Sequence, residues 1–258
     1  MKARIGIIGG TGLYSLVEVE EEVNPLTQYG KPSSPISIGK IGGKEVAFLS
    51  RHGKDHTIAP HKVPYRANIQ ALADLGVERI ISSNAVGSLR MEYKPGDFVF
   101  IDQFVNMTHG RDDTFFDENK VVHTGMADPY CSDLRTLGIS QAKNMRLPSH
   151  EKGTVVVVNG PRFSTRSESK FFAKQGFEII NMTQYPEAAL AREKGICYLG
   201  IGIVTDYDVG LEGDETVKPV TFEEVSKVFS GSIEKVKSLI NSMVPEINDE
   251  RNCSCKNR

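Results

Sequence analysis

The sequence is short of several things. No apolar run approaches the ~18–20 residues that a membrane-crossing helix needs, so no membrane span is expected. No lysine- and arginine-rich stretch carries interleaved aromatics, and the net charge is −2, so nucleic acid is not an expected partner. Cysteine is scarce: four residues, at 131, 197, 253 and 255, none with the paired spacing of a zinc site. Three histidines, His52, His56 and His61, fall close together, but Gly53 and Pro60 read as loop and no cysteine or carboxylate completes a ligand set. No metal and no resident cofactor is expected. There is no internal repeat, no low-complexity tract and no compositional break that would mark a linker. The apolar stretch behind Met1-Lys2-Ala3-Arg4 is too short for a signal-peptide core and runs straight into glycines. It reads as a first strand, and the expected location is the cytoplasm.

What remains is a chain of 258 residues, 39% hydrophobic and 25% charged, long enough for one large α/β domain with a well-buried core. Short β-branched runs recur at 4–8, 45–49, 79–83, 98–101, 154–158, 178–181 and 197–205. Several are apolar on both faces, as in strands covered by helices on both sides. Helical patterns lie between them, at 64–75, 132–144, 165–175 and 186–194. The last helix is the clearest. Phe222, Val225, Phe229, Ile233, Val236 and Ile240 step by three and four, Thr221 and Glu224 form a capping-box pair, and Pro245 stops it. The expected fold is α/β, a single domain over residues 1–245 with a central mixed, largely parallel sheet flanked by helices; residues 246–258 form a polar tail. The acidic, glycine-rich segment at 210–215 reads as a mobile loop in the position of a lid.

The most telling segment is Val204-Thr205-Asp206-Tyr207-Asp208. Two carboxylates two positions apart share a face of an extended chain. At a strand end they repel each other and resist burial, which suits a ligand offering protonated or protonatable nitrogens, such as a purine. Gly9-Gly10-Thr11-Gly12 follows the first strand and lets backbone N–H groups approach an anion. It lacks the spacing of a dinucleotide fingerprint, since position 15 is Ser. Arg51-His52 follows the next strand and offers a guanidinium fork and imidazole donors. Ser83-Asn84-Ala85-Val86-Gly87-Ser88 is a third strand end with small polar groups, and ligands in open α/β sheets bind beyond such ends. Phe163 suits stacking on a flat heterocycle; Asn181 and Met182 suit a sugar.

Together the strings Ile7-Ile8-Gly9-Gly10-Thr11-Gly12, Arg51-His52-Gly53, Pro64-Tyr65-Arg66-Ala67-Asn68, Ala85-Val86-Gly87-Ser88-Leu89, Gly160-Pro161-Arg162-Phe163-Ser164-Thr165-Arg166, Asn181-Met182-Thr183 and Thr205-Asp206-Tyr207-Asp208 resemble the trimeric purine nucleoside phosphorylase family, in its branch that cleaves methylthioadenosine. The likeness runs from Ile5 to about Ile240. It implies phosphorolysis of the N-glycosidic bond of 5′-methylthioadenosine. The alternative is a purine nucleoside phosphorylase acting on adenosine or on the 6-oxopurine nucleosides inosine and guanosine.

The resemblance implies a phosphate subsite of Thr11, Arg51, His52, Asn84, Ala85 and Thr183, with Asn84 where relatives often carry Thr. It implies a ribose and base subsite of Phe163, Asn181, Met182, Thr205, Asp206 and Asp208. A 5′ pocket would comprise Phe222, Val225 and His123, the histidine arriving from a neighbouring copy. Asp206, Asp208 and His52 are the expected catalytic groups, Asp206 sharing or donating the proton that the departing base takes at N7. The carboxylate pair favours a 6-amino purine. The expected partners are a nucleoside and inorganic phosphate, the latter a co-substrate, and a homotrimer or a hexamer built as a dimer of trimers. The resemblance also raises disulfides for Cys253 with Cys255 and for Cys131 with Cys197. Two other classes compete: a nicotinamide-dependent oxidoreductase, which the imperfect glycine motif disfavours, and a non-catalytic nucleoside-binding protein, which would have no need of Arg51 and His52.

Overall fold

A computed structural model describes residues 2–10, 12–13, 16–117, 120–209, 217 and 220–256. The glycine-rich segment 210–215 lies outside the described residues. Eleven strands form one sheet: β1 (Ile5–Gly9), β2 (Glu18–Val23), β3 (Ile36–Ile41), β4 (Lys44–Ser50), β5 (Arg79–Ser88), β6 (Phe98–Phe100), β7 (Gln103–Met107), β8 (Ser149–His150), β9 (Thr154–Val158), β10 (Ile179–Asn181) and β11 (Cys197–Tyr207). The main path runs β2-β3-β4-β1-β5-β10-β9-β7, and β11 pairs with β5 and β6. Pairings β1–β4, β1–β5, β5–β11, β9–β10, β7–β9 and β6–β8 are parallel; the others are antiparallel. The sheet is mixed and largely parallel, as the sequence led us to expect.

Helices cover both faces. Neighbouring residues in a strand point to opposite sides, and the core divides accordingly. Ile8 and Ile80 pack with Ile69 and Leu72 of α1 (Tyr65–Asp74) and Leu190 of α4 (Gln184–Glu193). Ile7 and Ile81 pack instead with Leu134 of α2 (Ser132–Asn144) and with Val236, Leu239 and Ile240 of α5 (Phe222–Met243). The apolar period of α5 is buried only in its second half. At its first residue Phe222 is 61% exposed, so the helix extends past the core beside the strand ends. Its cap is half of the expected box: the Thr221 side chain accepts from the Glu224 N–H. The full capping box sits on α3 (Arg166–Lys174), where Thr165 and Glu168 satisfy each other's backbone N–H.

Four strands escaped the sequence reading. β2 reads Glu-Val-Glu-Glu-Glu-Val and lies exposed at the sheet edge, where charges guard an unpaired flank. β3 carries a glycine and a lysine, and Gly39 allows the Glu18 carbonyl to come within 2.1 Å of where a Cβ would stand. β7 is only half-buried and β8 has two residues.

The segment read as a polar tail packs onto the body. Arg79 Nη2 donates to the Asn248, Asp249 and Glu250 carbonyls, Arg251 Nη1 donates to the Gly195 carbonyl, and Ile247 and Cys255 are buried. All four cysteines are free thiols. No described helix is long and apolar enough to cross a membrane.

Candidate active site

Strands β1, β4, β5 and β11 run the same way, and their carboxyl ends carry the residues in question. Arg51 follows β4 immediately, and its N–H donates to the Gly9 carbonyl at the end of β1. The residue is 2% exposed and its guanidinium is already engaged. Nε and Nη2 donate to the two carboxylate oxygens of Glu187 (2.7 and 2.9 Å), Nη2 also to Ser82 Oγ (2.6 Å), and Nη1 to the Ser83 carbonyl (3.1 Å). Four of the five guanidinium N–H groups are thereby used, leaving one on Nη1. The free bidentate fork that the sequence implies is not there: the fork faces Glu187. Burial opposes the charge on Arg51, and Glu187 outweighs it, so the guanidinium stays above its ordinary pKa. On Glu187 burial again opposes the charge, while Arg51, Tyr198 and Ser82 hold the carboxyl below its usual value.

His52 Nδ1 lies 2.8 Å from the Ile58 carbonyl, so that nitrogen carries the proton. Burial first, then the charge on Arg51, pushes the imidazole down to about 4. His52 is therefore neutral at pH 7 and presents an unprotonated Nε2, not the cationic donor that the sequence allowed. The Asn84 carboxamide is turned inward: Oδ1 accepts from Thr183 Oγ1 (3.0 Å) and Nδ2 donates to Ser82 Oγ (3.2 Å). Ala85 stands exposed in an otherwise buried stretch of β5. Thr183 is the N-cap residue of α4, and Asn181 Oδ1 accepts from the N–H groups of Thr183 and Gln184. The Asn181 side chain thus orders the helix start. Thr11, between Gly10 and Gly12, lies outside the described residues. A Cβ on Gly12 would stand 1.9 Å from Ile233 of α5, which holds this turn against the helix.

The carboxylate pair lies at the far end of the same strand pair. A bulge between Val204 and Asp206 shifts the β5–β11 register, pairing Asp206 with Gly87 and Tyr207 with Ser88. A Cβ on Gly87 would lie 3.1 Å from Asp206 Oδ2 and 3.6 Å from the Asp208 Cβ, so both aspartates face one strand end. Thr205 Oγ1 donates to Asp206 Oδ1 at 2.6 Å. Asp208 Oδ2 is buried with no hydrogen-bond partner among the described residues. Burial raises Asp206 to about 6 against the Thr205 bond, with the Asp208 charge adding to the rise. Burial likewise raises Asp208 to about 6 against its contacts with Ser169 and Ser164. Burial, more than mutual repulsion, is what lifts the pair.

Ser164 belongs to the loop that carries Phe163, which is 38% exposed. Gly160 in that loop has φ +64°, and a Cβ there would fall 2.5 Å from Met182 Sδ. The Phe163 loop and Met182 are thus in contact. Of the residues expected to line a 5′ pocket, Phe222 has its ring 5.9 Å from that of His56, whose ring lies 4.6 Å from that of His52, and Val225 is half-buried one turn on. His123 is exposed and does not join this group in one chain. Its loop is held at the C-terminal end of α4, where Arg192 Nε donates to the Gly125 carbonyl, whereas Thr183 sits at the opposite end of that helix.

Two residues with structural claims on the site escaped the sequence reading. Glu187 fixes Arg51. The available signal was an acid placed in the first turn of an alanine-rich helix. Arg111 donates through Nη2 to the Asn159 and Met182 carbonyls, both at 2.9 Å, and through Nη1 to the Tyr185 carbonyl. It ties the Phe163 loop to the α4 start, and no local pattern marks it. Among the described residues the one group of possible metal ligands is the four cysteines. Cys197 begins β11, roughly 30 Å along the strand from Asp206.

Comparison with known proteins agrees with this geometry. Residues 4–245 match the family described as the phosphorylase superfamily. S-methyl-5′-thioadenosine phosphorylase of Pyrococcus abyssi is 54% identical, over 98% of this chain and 96% of its own length. That of Thermofilum pendens is also 54% identical, over 98% and 96%. Methylthioadenosine phosphorylase from Schistosoma mansoni, solved in complex with adenine, superposes with a TM-score of 0.91 at 38% identity, covering 97% of this chain and 93% of that one. A variant of the Schistosoma enzyme solved with methylthioadenosine gives a TM-score of 0.89 at the same identity and the same shares. The α/β sheet, the strand ends that meet around Arg51 and Asp206, and this likeness along nearly the whole chain lead to one conclusion: the chain belongs to the phosphorylase superfamily.

Proposed function

We infer that this chain cleaves the N-glycosidic bond of 5′-methylthioadenosine with inorganic phosphate, releasing adenine and 5-methylthioribose 1-phosphate. The name shared by its relatives supports the reaction. The structural observation that carries it is the Asp206–Asp208 pair, Asp208 buried and Asp206 half-buried, both groups raised to about 6, on the strand pair that also carries Asn84 and Ala85.

Strand β5 acts as a ruler. Asn84 and Gly87 are three residues apart, ~10 Å along a strand, about the reach from a phosphate at the anomeric carbon to the far edge of a purine. At the near end, the remaining Arg51 N–H, the backbone at Ala85, Thr183 and Thr11 take the phosphate. His52 accepts from a protonated phosphate oxygen through Nε2, or takes up a proton as the dianion binds. Met182 underlies the ribose and Phe163 the purine. As the bond breaks, positive charge grows on the ribosyl carbon and negative charge on the base. Phosphate stabilises the first and then attacks. Asp206, with a pKa near 6, supplies or shares the proton at N7, while Asp208 accepts from the 6-amino group. A 6-oxo group would set acceptor against acceptor, which favours adenine.

A second reading adds adenosine as a substrate, since the Schistosoma relative is named adenosine/methylthioadenosine phosphorylase. The 5′ pocket of Phe222 and Val225 is completed by His123 of the partner subunit in a homotrimer, or in a hexamer of two trimers. Phosphate-dependent release of base from methylthioadenosine, adenosine, inosine and guanosine, measured side by side, tests both readings. Adenine release from methylthioadenosine that vanishes without phosphate is the expected result. Preference for inosine or guanosine overturns the roles given to Asp206 and Asp208.

A further inference from the structure

We propose that the reduced chain holds one soft cation of the zinc class on the Sγ atoms of Cys131, Cys197, Cys253 and Cys255. This site lies at the opposite end of β11 from the catalytic residues and does not depend on their assignment.

The sequence argues against a zinc site because the four cysteines lack ligand spacing. The fold supplies what spacing does not. Cys131 precedes the first residue of α2, Cys197 is the first residue of β11, and Cys253 and Cys255 lie on the C-terminal segment. All four Sγ atoms fall within 4.8 Å of one another, and Cys197 and Cys253 are 3.3 Å apart. Three of the residues are buried, and Cys253 forms the half-buried edge through which an ion enters. Zn–S bonds of about 2.3 Å imply sulfur–sulfur edges of about 3.8 Å in a tetrahedron, so the thiols close on a cation with shifts of an ångström or less.

The surroundings suit the charge. A zinc ion with four thiolates carries a net charge of −2. The N-terminal end of α2 begins directly after Cys131, and helix N-termini favour thiolates. The Arg251 guanidinium contacts Cys197, and its Nε, which makes no hydrogen bond among the described residues, lies 4.0 Å from Glu78 Oε2. The remaining wall is apolar, from the cluster that includes Leu134, Leu199 and Ile247. Binding four thiolates releases the thiol protons to solvent; nothing is oxidised.

Cobalt(II) is the probe. The full chain is reduced, stripped with chelator and titrated anaerobically. The expected result is saturation at one equivalent, with sulfur-to-cobalt charge transfer and the intense visible bands of a tetrahedral thiolate site, bleached by added zinc. The C253S/C255S double variant should lose those bands and the rise in melting temperature caused by zinc, and should keep its metal-free phosphorolysis rate, which also shows that it folds. Absence of one-equivalent saturation, or unchanged bands in the double variant, overturns the proposal. So does chain purified without reductant that is four hydrogens lighter and, once its two disulfides are reduced, still saturates with no cobalt, because the four restored thiols then form no metal site.

Discussion

At the scale of single residues the chemistry depends on which charges are left unspent. Arg51 is neutralised by Glu187 and His52 is held neutral, so the proposed phosphate end has dipoles and one guanidinium N–H to offer more than net charge. The purine end is the reverse: two acids in a space that resists ionisation. Asp206→Asn keeps the shape and removes the proton source. Adenine release from methylthioadenosine should fall by ~10²–10⁴-fold in kcat, the usual weight of a positioned acid, with a smaller fall for inosine; equal losses on both substrates would remove Asp206 as the base reader.

The same pair makes stability depend on pH. In the unfolded chain each carboxyl titrates near 3.8, in the folded chain near 6. Because the folded values are the higher ones, the pair's contribution is complete below pH 3.8 and is lost as pH rises through about 6. Urea midpoints measured on either side of that window should show this loss in the wild-type chain and a flatter profile in the Asp206→Asn/Asp208→Asn variant. Glu187→Ala leaves Arg51 charged and buried without its partner, which costs ~3–5 kcal/mol. Equilibrium urea unfolding will read it, and a change under ~1 kcal/mol would mean that water or another acceptor satisfies the guanidinium.

At the scale of elements, β5 and β11 do most of the positioning, and both were legible. Arg79 to Ser83 and Cys197 to Thr205 are β-branched runs apolar on both faces, which only a doubly covered strand explains. The helix at 132–144 and the strand at 154–158 coincide with α2 and β9. Local patterns failed where local forces do not decide. The glutamates of β2 describe an edge and not a core, and Glu187 and Arg111 gain their partners only once distant segments fold together. The Asp206–Asp208 pair was visible for the opposite reason, since its spacing alone sets both side chains on one face. The α3 cap offers a local check. Thr165→Ala removes one side of the capping box and should cost ~1 kcal/mol, read by thermal unfolding. The Phe163 loop leads directly into that cap, so KM for nucleoside should rise while KM for phosphate stays level.

At the scale of the whole molecule, one chain does not bring His123 to the site. If the partner subunit's His123 completes the 5′ pocket, dilution that dissociates the assembly should raise KM for methylthioadenosine before it affects phosphate, with sedimentation velocity tracking the same transition. Constant KM across dissociation would place the whole pocket within one chain. The cysteines teach a related lesson: residues 131, 197, 253 and 255 hold no message as a string, and become a cluster only when the last segment folds back beneath the first residue of β11.

That folding back bears on how readily the segment 247–255 opens. One guanidinium, that of Arg79, gathers three successive carbonyls from Asn248 to Glu250, and Ile247 and Cys255 are buried just before and after them. The backbone of this segment is therefore committed to hydrogen bonds, and a protease must wait for the segment to open before it can cut there. Limited proteolysis read by mass spectrometry should spare residues 247–255 in the native chain and cut there in Arg79→Ala. This segment is held by the same strand whose other end pairs Gly87 with Asp206.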